Sequence, residues 1–484
     1  MYLGIDIGTS AVKSLIMDEN GNVVETASSP LQSSSPHAGW SEQHPDIWWK
    51  ATLDCAANLR AENSQAWSAI RAIGLSGQMH GAVLLGRKKV PLRAAILWND
   101  GRSDAECVKM AEALPQIGQI AGVPPMPGFT APKLLWIARH EPQTHRRIAH
   151  ILLPKDYVRL KMTGELATDM ADAAGTMWLD QKNRTWSQEI CGASATEPSW
   201  LPGLLEGTQV SGSLTADAAQ QLGLSQSVLV AAGGGDAAAG AMGIGAVNHG
   251  DAFISLGTSG QFFIANDSYR PNPESAIHAY AHCVPDRWFQ MAAMLNGASP
   301  MSWFASVSNG EIGALLTDAQ RADTDRTPLF LPYLTGERTP HNDAKIRASF
   351  HGLEPSTDRG QMMCSVVDAI AYSFCDARDA LAQAGTEITA PAAIGGGARS
   401  DFVLQNMADA LAMAITRYAD AETGPALGAA RLAVLATGDA SVAAVAKKPK
   451  TDVVFEPNDE QFGRHAERLA RYREIYTALK PLTG

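Results

Sequence analysis

The residue best suited to chemistry in this sequence is Asp236, which ends a glycine run. Residues 228–232 (VLVAA) predict a buried strand, residues 233–235 are all glycine, and residues 237–242 predict a helix. Bare glycine backbone lets a substrate hydroxyl approach the carboxylate, which could then act as general base in a phosphoryl transfer. An aspartate at a helix start can also cap the free N–H groups. The local sequence does not separate these two compatible interpretations.

A second candidate element is a short turn that occurs twice. Residues 8–10 (Gly-Thr-Ser) follow Asp6 between two predicted strands, and residues 257–259 repeat the triplet in the second half of the chain. Successive backbone N–H groups in such a turn can bind a phosphate. Asp6 could hold Mg²⁺ directly or through water, and Lys13 could steady the turn or a phosphate. A single copy fits an ordinary hairpin turn, but the repeat favours a binding role.

A third glycine run, at residues 395–397, again separates a predicted strand from a predicted helix at residues 402–413. A helix N-terminus preceded by bare backbone can receive a nucleotide, whereas an isolated triple glycine is more often a plain turn. Neither G-x-x-x-x-G-K-[ST] nor G-x-G-x-x-G occurs in the sequence, so a P-loop or Rossmann nucleotide site is not indicated.

Two further segments in the first half mix hydrogen-bonding and apolar side chains, as sugar recognition requires. They are residues 77–81 (GQMHG) and residues 98–102 (WNDGR), and each follows a predicted strand. The alternative is structural: a hydrogen-bonded His80 and a packed Trp98 inside the core.

The elements that must position these residues alternate between strand and helix, which predicts an α/β protein. Strands are predicted at residues 70–74, 81–85 and 94–98, after an opening hairpin. Because the second glycine-threonine-serine turn also follows a hairpin start, we predict two related lobes, residues 1–246 and 247–484, with a cleft between them. Ser255 stands where the first copy has Asp6, so only the first lobe would supply a metal carboxylate. The chain should end in a surface helix over residues 464–480.

Composition excludes several classes of protein. The 484 residues carry a formal net charge of −11, which disfavours nucleic acid as a partner. The six cysteines lack any C-x-x-C pair or zinc spacing, which predicts reduced buried thiols in a cytoplasmic protein. Residues 228–247 are apolar enough to resemble a membrane span, but Asp236 at their centre and the six glycines favour a strand-turn-helix.

Longer patterns resemble the FGGY carbohydrate kinases, members of the actin-like ATPase superfamily, over most of the chain. One family signature is matched by residues 128–137 (GFTAPKLLWI). The other is matched by residues 348–353 (ASFHGL) with residues 361–368 (QMMCSVVD). Residues 336–341 (GERTPH) and 424–430 (GPALGAA) point to the branch that acts on ketopentoses.

The resemblance implies two ribonuclease H-like lobes that close over ATP, held mainly by the second lobe, and a sugar, held by the first. Asp236 would be the catalytic base, and D-xylulose, giving the 5-phosphate, is the leading substrate. Motifs and resemblance together predict sugar contacts at Met79, His80, Trp98, Asp100 and Asp236. They predict nucleotide contacts at Thr9, Ser10, Lys13, Gly257, Thr258, Ser259, Trp303, Gly396, Gly397, Ala398, Arg399 and Asp401. They predict Mg²⁺ ligands at Asp6 and Asp236.

One position departs from the pattern of the members that the chain resembles. Those members usually have Asn directly after the catalytic aspartate, whereas this chain has Ala237, which offers no side-chain hydrogen bond. A deoxy-pentulose or another ketose or polyol therefore stays open as substrate, as does a non-catalytic actin-like sugar sensor. Membrane association is not expected, and a homodimer is left open.

Overall fold

The computed structural model describes residues 1–419 and 424–482. Its strands, in chain order, are β1 (Tyr2–Ile7), β2 (Ala11–Met17), β3 (Val23–Pro30), β4 (Glu42–Gln43), β5 (Ala72–Gly77), β6 (Val83–Leu85), β7 (Ala95–Ile96), β8 (His150–Leu152), β9 (Ala167–Asp169), β10 (Leu179–Asp180), β11 (Thr185–Trp186), β12 (Gly203–Leu205), β13 (Val210–Ser213), β14 (Leu229–Ala231), β15 (Gly234–Gly235), β16 (Ala252–Leu256), β17 (Gly260–Asn266), β18 (His278–Ala281), β19 (Trp288–Met294), β20 (Leu329–Leu331), β21 (Ser349–His351), β22 (Ala392–Ile394), β23 (Ile415–Tyr418) and β24 (Thr451–Phe455).

The helices cover both faces of the sheets. They are α1 (Asp46–Glu62), α2 (Ser64–Ser68), α3 (Asp104–Ala113), α4 (Ile117–Ala121), α5 (Thr130–His140), α6 (Pro142–His145), α7 (Pro154–Thr163), α8 (Met170–Ala174), α9 (Gln188–Ala193), α10 (Ala216–Leu222), α11 (Asp236–Gly243), α12 (Ser299–Val307), α13 (Ile312–Gln320), α14 (Arg359–Gln383), α15 (Asp401–Leu411), α16 (Gly424–Ala436), α17 (Val442–Val445) and α18 (Asp459–Leu479).

Two seven-stranded sheets share one topology over six of their strands. The first has the order β13-β14-β5-β1-β2-β3, with β15 also paired to β5, and the second has the order β24-β23-β22-β16-β17-β19-β18. In each sheet an antiparallel hairpin, β1–β2 or β16–β17, joins a parallel strand, β5 or β22, through its first strand. The two glycine-threonine-serine turns close these equivalent hairpins. The predicted α/β class and the duplication into two lobes are therefore confirmed.

Helices α11 and α16 pack closely against each other between the lobes, and α16 lies on the first sheet although it follows the second sheet in the chain. Ala238 and Met242 of α11 share a buried apolar cluster with Phe253 and Phe263 of the second sheet. The small side chains of α16 pack against β1, β2 and β5 of the first sheet. The proposed division at residue 246 stays a prediction, and it would assign α16 to the second lobe although α16 packs on the first sheet.

Glycines permit this close crossing. A Cβ at Gly428 of α16 would lie 1.7 Å from the carbonyl oxygen of Ala239 in α11, and one at Gly74 of β5 would lie 1.8 Å from the carbonyl oxygen of Ala429. Real atoms cannot approach so closely, so the backbones meet only because these side chains are absent.

Three of the predicted strands are shorter or shifted. The strand predicted at residues 70–74 is β5, which begins and ends later, at Ala72 and Gly77. Those predicted at residues 81–85 and 94–98 are β6 and β7, and both pair outside the two main sheets. Their apolar residues are buried by loops and neighbouring strands, a tertiary effect that the local pattern does not reveal.

The last helix, α18, packs on the core of the second lobe, where Tyr472 is fully buried and Leu469, Ile475 and Leu479 lie beside it. All six cysteines are buried and free. Within the described part of the chain, no helix is long and apolar enough to cross a membrane.

We predict that Gly428→Ala lowers the free energy of unfolding by about 3 kcal/mol, because the new methyl group must push α11 away from α16. Gly463→Ala in α18 is the matched control, since a Cβ there meets nothing within 4 Å and alanine favours the helix by about 1 kcal/mol. Urea titrations of both variants measure the difference. Equal stability of Gly428→Ala and the wild type would contradict the close crossing.

Candidate functional site

A cavity of about 600 Å³ opens between the two lobes. Its first-lobe wall contains Met79, His80, Trp98, Asn99, Asp100, Gly101, Met126, Pro127, Gly128, Phe129, Asp236 and Ala237. Its second-lobe wall contains Gln261, His278, Tyr280, Met291, Ala293, Leu295, Glu337, Arg338, Asn342 and Ala344. All five residues predicted to contact sugar thus lie in the wall of one cavity, and both lobes build it.

Asp236 is held at the corner between β15 and α11. Gly235 occupies the N-cap position and Asp236 is the first helical residue, so the capping interpretation is wrong in its strict form. One carboxylate oxygen accepts a 2.8 Å hydrogen bond from the N–H of Ala237. Burial raises the pKa of Asp236 to about 6, against the opposing effect of that hydrogen bond. A carboxylate with this pKa, facing a cavity, is suited to accept a proton near neutral pH.

Asp6 lies at the end of β1 and is 9% exposed. Its Oδ1 atom is buried without a hydrogen-bond partner among the residues of the structure that are described. The pKa of Asp6 is raised to about 7, mainly by burial and secondly by the negative charge of Asp236. Lys13, the antiparallel partner of Asp6 in β2, opposes this shift with its positive charge. A buried carboxylate with an unsatisfied oxygen, beside the half-buried carboxylate of Asp236, forms a donor set that suits a hard divalent cation.

His80 is fixed in an uncommon conformation, with a φ of 71° in the left-handed region. Its Nδ1 atom lies 2.6 Å from the carbonyl oxygen of Gly175, and burial lowers the pKa of His80 to about 3. Because a carbonyl only accepts, the neutral ring carries its proton on Nδ1 and leaves Nε2 as an acceptor.

The helix that carries a family signature holds the His80 loop. The hydroxyl of Thr130 and the ammonium of Lys133, both in α5, donate to the backbone carbonyl of His80 at 3.1 and 2.9 Å. The matched signature at residues 128–137 therefore positions a wall residue of the cavity.

The two other predicted sugar contacts, Trp98 and Asp100, differ in how exposed their side chains are and in how far their polar atoms are already hydrogen-bonded within the protein. Trp98 is 45% exposed, and its indole N–H donates to the Thr9 hydroxyl at 3.0 Å. Asp100 is 1% exposed, and its carboxylate already accepts from the Ser41 N–H at 2.6 Å and from the Arg102 guanidinium. Asp100 thus borders the cavity while holding the loop together.

The first turn lies beside the cavity but does not line it. The Thr9 hydroxyl donates to Gln78 at 3.0 Å as well as accepting from Trp98, so its hydrogen-bonding capacity is largely used within the protein. Ser10 and Lys13 are exposed. Any phosphate contact from this turn would come mainly from its backbone N–H groups.

A larger cavity, of about 1020 Å³, lies in the second lobe. Its wall contains the predicted residues Gly257, Thr258, Gly396, Gly397, Arg399 and Asp401. Sequence reasoning missed its other wall, formed by α12 and α13, because those helices carry no nucleotide motif. The loop between β19 and α12 contributes Leu295 to the smaller cavity and Ala298 to the larger one, so the two cavities adjoin.

Six predicted nucleotide contacts fall outside this wall: Thr9, Ser10 and Lys13 of the first turn, and Ser259, Trp303 and Ala398. Trp303 stacks on Phe330 and Phe350, with ring centroids 5.8 and 6.5 Å apart. Ala398 is buried in the short helical turn at Gly396–Arg399, and Ser259 ends the β16–β17 turn beside the cavity. Their roles in nucleotide binding stay predictions.

Sequence reasoning also missed three second-lobe residues of the smaller cavity: His278, Tyr280 and Arg338. Residues 336–341 attracted attention only as a family pattern. His278 and Tyr280 come from β18, whose alternation carries no functional signal in the sequence. Only the folded chain brings them opposite Asp236.

Two duplicated lobes with a carboxylate at a shared cavity and a large cavity beside it define a two-lobed phosphotransferase. The chain belongs to the FGGY family of carbohydrate kinases: the N-terminal domain model of that family matches residues 1–243 and the C-terminal domain model matches residues 252–437. The chain is accordingly a carbohydrate kinase, with ATP as its phosphoryl donor and a two-domain actin-like architecture.

Known proteins resemble the chain along its whole length. The xylulose kinase of Escherichia coli (strain K12) is 42% identical over 485 residues, covering 100% of both chains. The crystal structure of a "xyloylose kinase" from Brucella ovis matches with a TM-score of 0.97 and 44% identity over 99% of both chains. A ligand-bound xylulose kinase from Lactobacillus acidophilus matches with a TM-score of 0.93 and 27% identity over 99% of this chain and 98% of that one.

The raised pKa of Asp6 predicts a specific pH dependence of stability. Because the folded protein holds this proton up to about pH 7 and the unfolded chain releases it near pH 4, wild-type stability falls as pH rises between those values. Asp6→Asn removes this cost, so its melting temperature should exceed that of the wild type by several degrees at pH 7.5 in EDTA. The gain should shrink towards pH 4.5. Thermal melts across this range measure it, and a gain independent of pH would contradict the charge burial.

Proposed function

We propose that this chain transfers the γ-phosphoryl group of ATP to the 5-hydroxyl of D-xylulose, with Asp236 as the general base. The observation that carries the proposal is the position of Asp236 in a cavity built by both lobes. The names of the similar xylulose kinases support the choice of sugar. Neither a deoxy-pentulose kinase nor a non-catalytic sensor gains comparable support, although Ala237 removes a polar contact beside the base.

ATP would bind in the larger cavity, with its phosphates directed at the turn that contains Thr258. Walls formed by Gly257, Gly396 and Gly397 expose backbone N–H groups and leave space for a flat base and its ribose. The volume of about 1020 Å³ is at the upper end of ligand sites, which suits a nucleotide triphosphate.

Asp6, together with Asp236, would hold Mg²⁺. The unsatisfied Oδ1 of Asp6 and the raised pKa of both carboxylates fit a bound cation, because a cation would compensate the buried charges. Bound there, Mg²⁺ would supply positive charge to the phosphoryl group during transfer.

In the reaction, the neutral His80 ring would accept a hydrogen bond from a sugar hydroxyl and Met79 would pack against the carbon chain. The carboxylate of Asp236 would take the proton of the 5-hydroxyl as its oxygen bonds to the γ-phosphorus. The bond from that phosphorus to the β,γ-bridging oxygen breaks, ADP leaves, and Asp236 returns the proton to solvent. Closure of the lobes would exclude the water that could otherwise accept the phosphoryl group.

We expect Asp236→Asn to lower kcat by at least about 1000-fold, since the amide cannot accept the proton. The sugar should still bind, because the shape of the cavity is unchanged. ADP release coupled to NADH oxidation measures kcat, and calorimetry measures sugar binding. Asp217→Asn, in the exposed helix α10, is the control. Turnover in Asp236→Asn within about tenfold of the wild type would discard the proposed base.

Gly396→Val should raise KM for ATP at least about tenfold and leave KM for the sugar unchanged. A Cβ at Gly396 meets no atom within 4 Å, so the valine enters the cavity without disturbing the fold. Gly192→Ala, also without neighbours within 4 Å but far from both cavities, is the control. An unchanged KM for ATP would place the nucleotide elsewhere.

A further inference from the structure

The second lobe gives the smaller cavity a polar end formed by His278, Tyr280 and Arg338. His278 and Tyr280 line the cavity and are 3% and 1% exposed. Neither the Nδ1 atom of His278 nor the hydroxyl of Tyr280 has a hydrogen-bond partner among the described residues. Buried polar atoms are normally satisfied, so two orphans facing one cavity point to a ligand that supplies the missing bonds.

Arg338 brings a cation to the same wall. Across residues 1–419 and 424–482, its guanidinium makes neither a hydrogen bond nor an ion pair. The adjacent Glu337 does not neutralise it at close range. That carboxylate accepts instead from the N–H groups of Leu295 and Arg338, at 2.6 and 2.8 Å, and from the Asn296 side chain at 3.2 Å.

The backbone around Arg338 is fixed. The hydroxyl of Thr339 donates to the carbonyl of Ala276 at 3.1 Å and accepts from the N–H of Ala293 at 3.1 Å. The N–H of Thr339 donates to the carbonyl of Ala293 at 3.2 Å. Arg338 is therefore presented from a segment anchored to the second sheet, which reduces the entropic cost of ligand binding.

Charge is distributed unevenly along the cavity. Burial, and then charges that include Arg338, lower the pKa of His80 and of His278, so the guanidinium lies near the two histidines. Asp236 belongs to the first-lobe wall of the cavity and Arg338 to the second-lobe wall. A sugar lying across the cavity would meet Asp236 at one end and Arg338 at the other.

We propose that Arg338 is a substrate-recognition residue that donates hydrogen bonds to the C2 carbonyl oxygen of the open-chain ketose. This inference rests on the proposed function, in which the 5-hydroxyl meets Asp236 at the opposite end of the sugar. A guanidinium has five N–H donors and no acceptor, so it matches a carbonyl oxygen better than a hydroxyl that must also donate. His278 and Tyr280 complete this end by bonding the neighbouring hydroxyl.

The test compares a ketose with its C2-reduced polyol. In Arg338→Met, kcat/KM for D-xylulose should fall about 10- to 100-fold, as expected for loss of a charged hydrogen bond. The inhibition constant of xylitol should change less than about threefold. Arg347→Met, an exposed arginine nearby, should leave both values unchanged. An equal loss for ketose and polyol, or no loss for either, would overturn the inference.

Two further measurements keep the outcome decisive. If Arg338→Met melts far below the wild type, Arg338→Lys is tested instead. This variant keeps the positive charge but loses the paired N–H donors of the guanidinium. Its kcat/KM for D-xylulose should fall less than in Arg338→Met, again with little change in the inhibition constant of xylitol. If the wild-type protein does not phosphorylate D-xylulose, the proposed function itself is wrong. If the wild type is active but both Arg338 variants keep its preference for D-xylulose over xylitol, only the role of Arg338 is wrong.

Discussion

The close crossing of α11 and α16 is the constraint on which the rest of the structure depends. Helix α16 follows the second sheet in the chain but packs on the first, and the backbones of α11 and α16 approach because glycine stands at positions such as Gly428, where a Cβ would lie 1.7 Å from a carbonyl oxygen. Asp236 is the first residue of α11, so the crossing that joins the lobes also sets where the carboxylate lies. Movement of one lobe against the other would therefore change the shape of the cavity around Asp236.

Charge held in partly dehydrated surroundings is the second organising feature. Asp6 is buried and Asp236 lies half-buried beside it, both with raised pKa values, and the half-buried Arg338 faces the cavity of Asp236 from the opposite lobe, its guanidinium without a hydrogen bond or ion pair among the described residues. Such groups destabilise an empty protein, because their desolvation is not offset by protein contacts. Substrates that bring a cation, a phosphate and a carbonyl oxygen would offset that cost, which couples binding to closure.

The sequence predicted the repeated hairpins and the strand-to-helix corner at Asp236, because glycine runs and alternation are local signals. It also predicted sugar contacts at five first-lobe residues, and all five line the smaller cavity: Met79, His80, Trp98, Asp100 and Asp236. It did not predict His278, Tyr280 or the wall of α12 and α13, since their placement depends on how the lobes pack. Trp303 was assigned to the nucleotide from resemblance, but its stacking on Phe330 is a core contact that only tertiary structure reveals.

The most direct test of the central claim is a crystal structure with D-xylulose and a non-hydrolysable ATP analogue bound together. The account predicts that a carboxylate oxygen of Asp236 lies within about 3 Å of the 5-hydroxyl oxygen, with the γ-phosphorus of the analogue on the other side of that oxygen. A sugar bound with its 5-hydroxyl out of reach of Asp236, or a nucleotide outside the cavity beside Thr258, would contradict it.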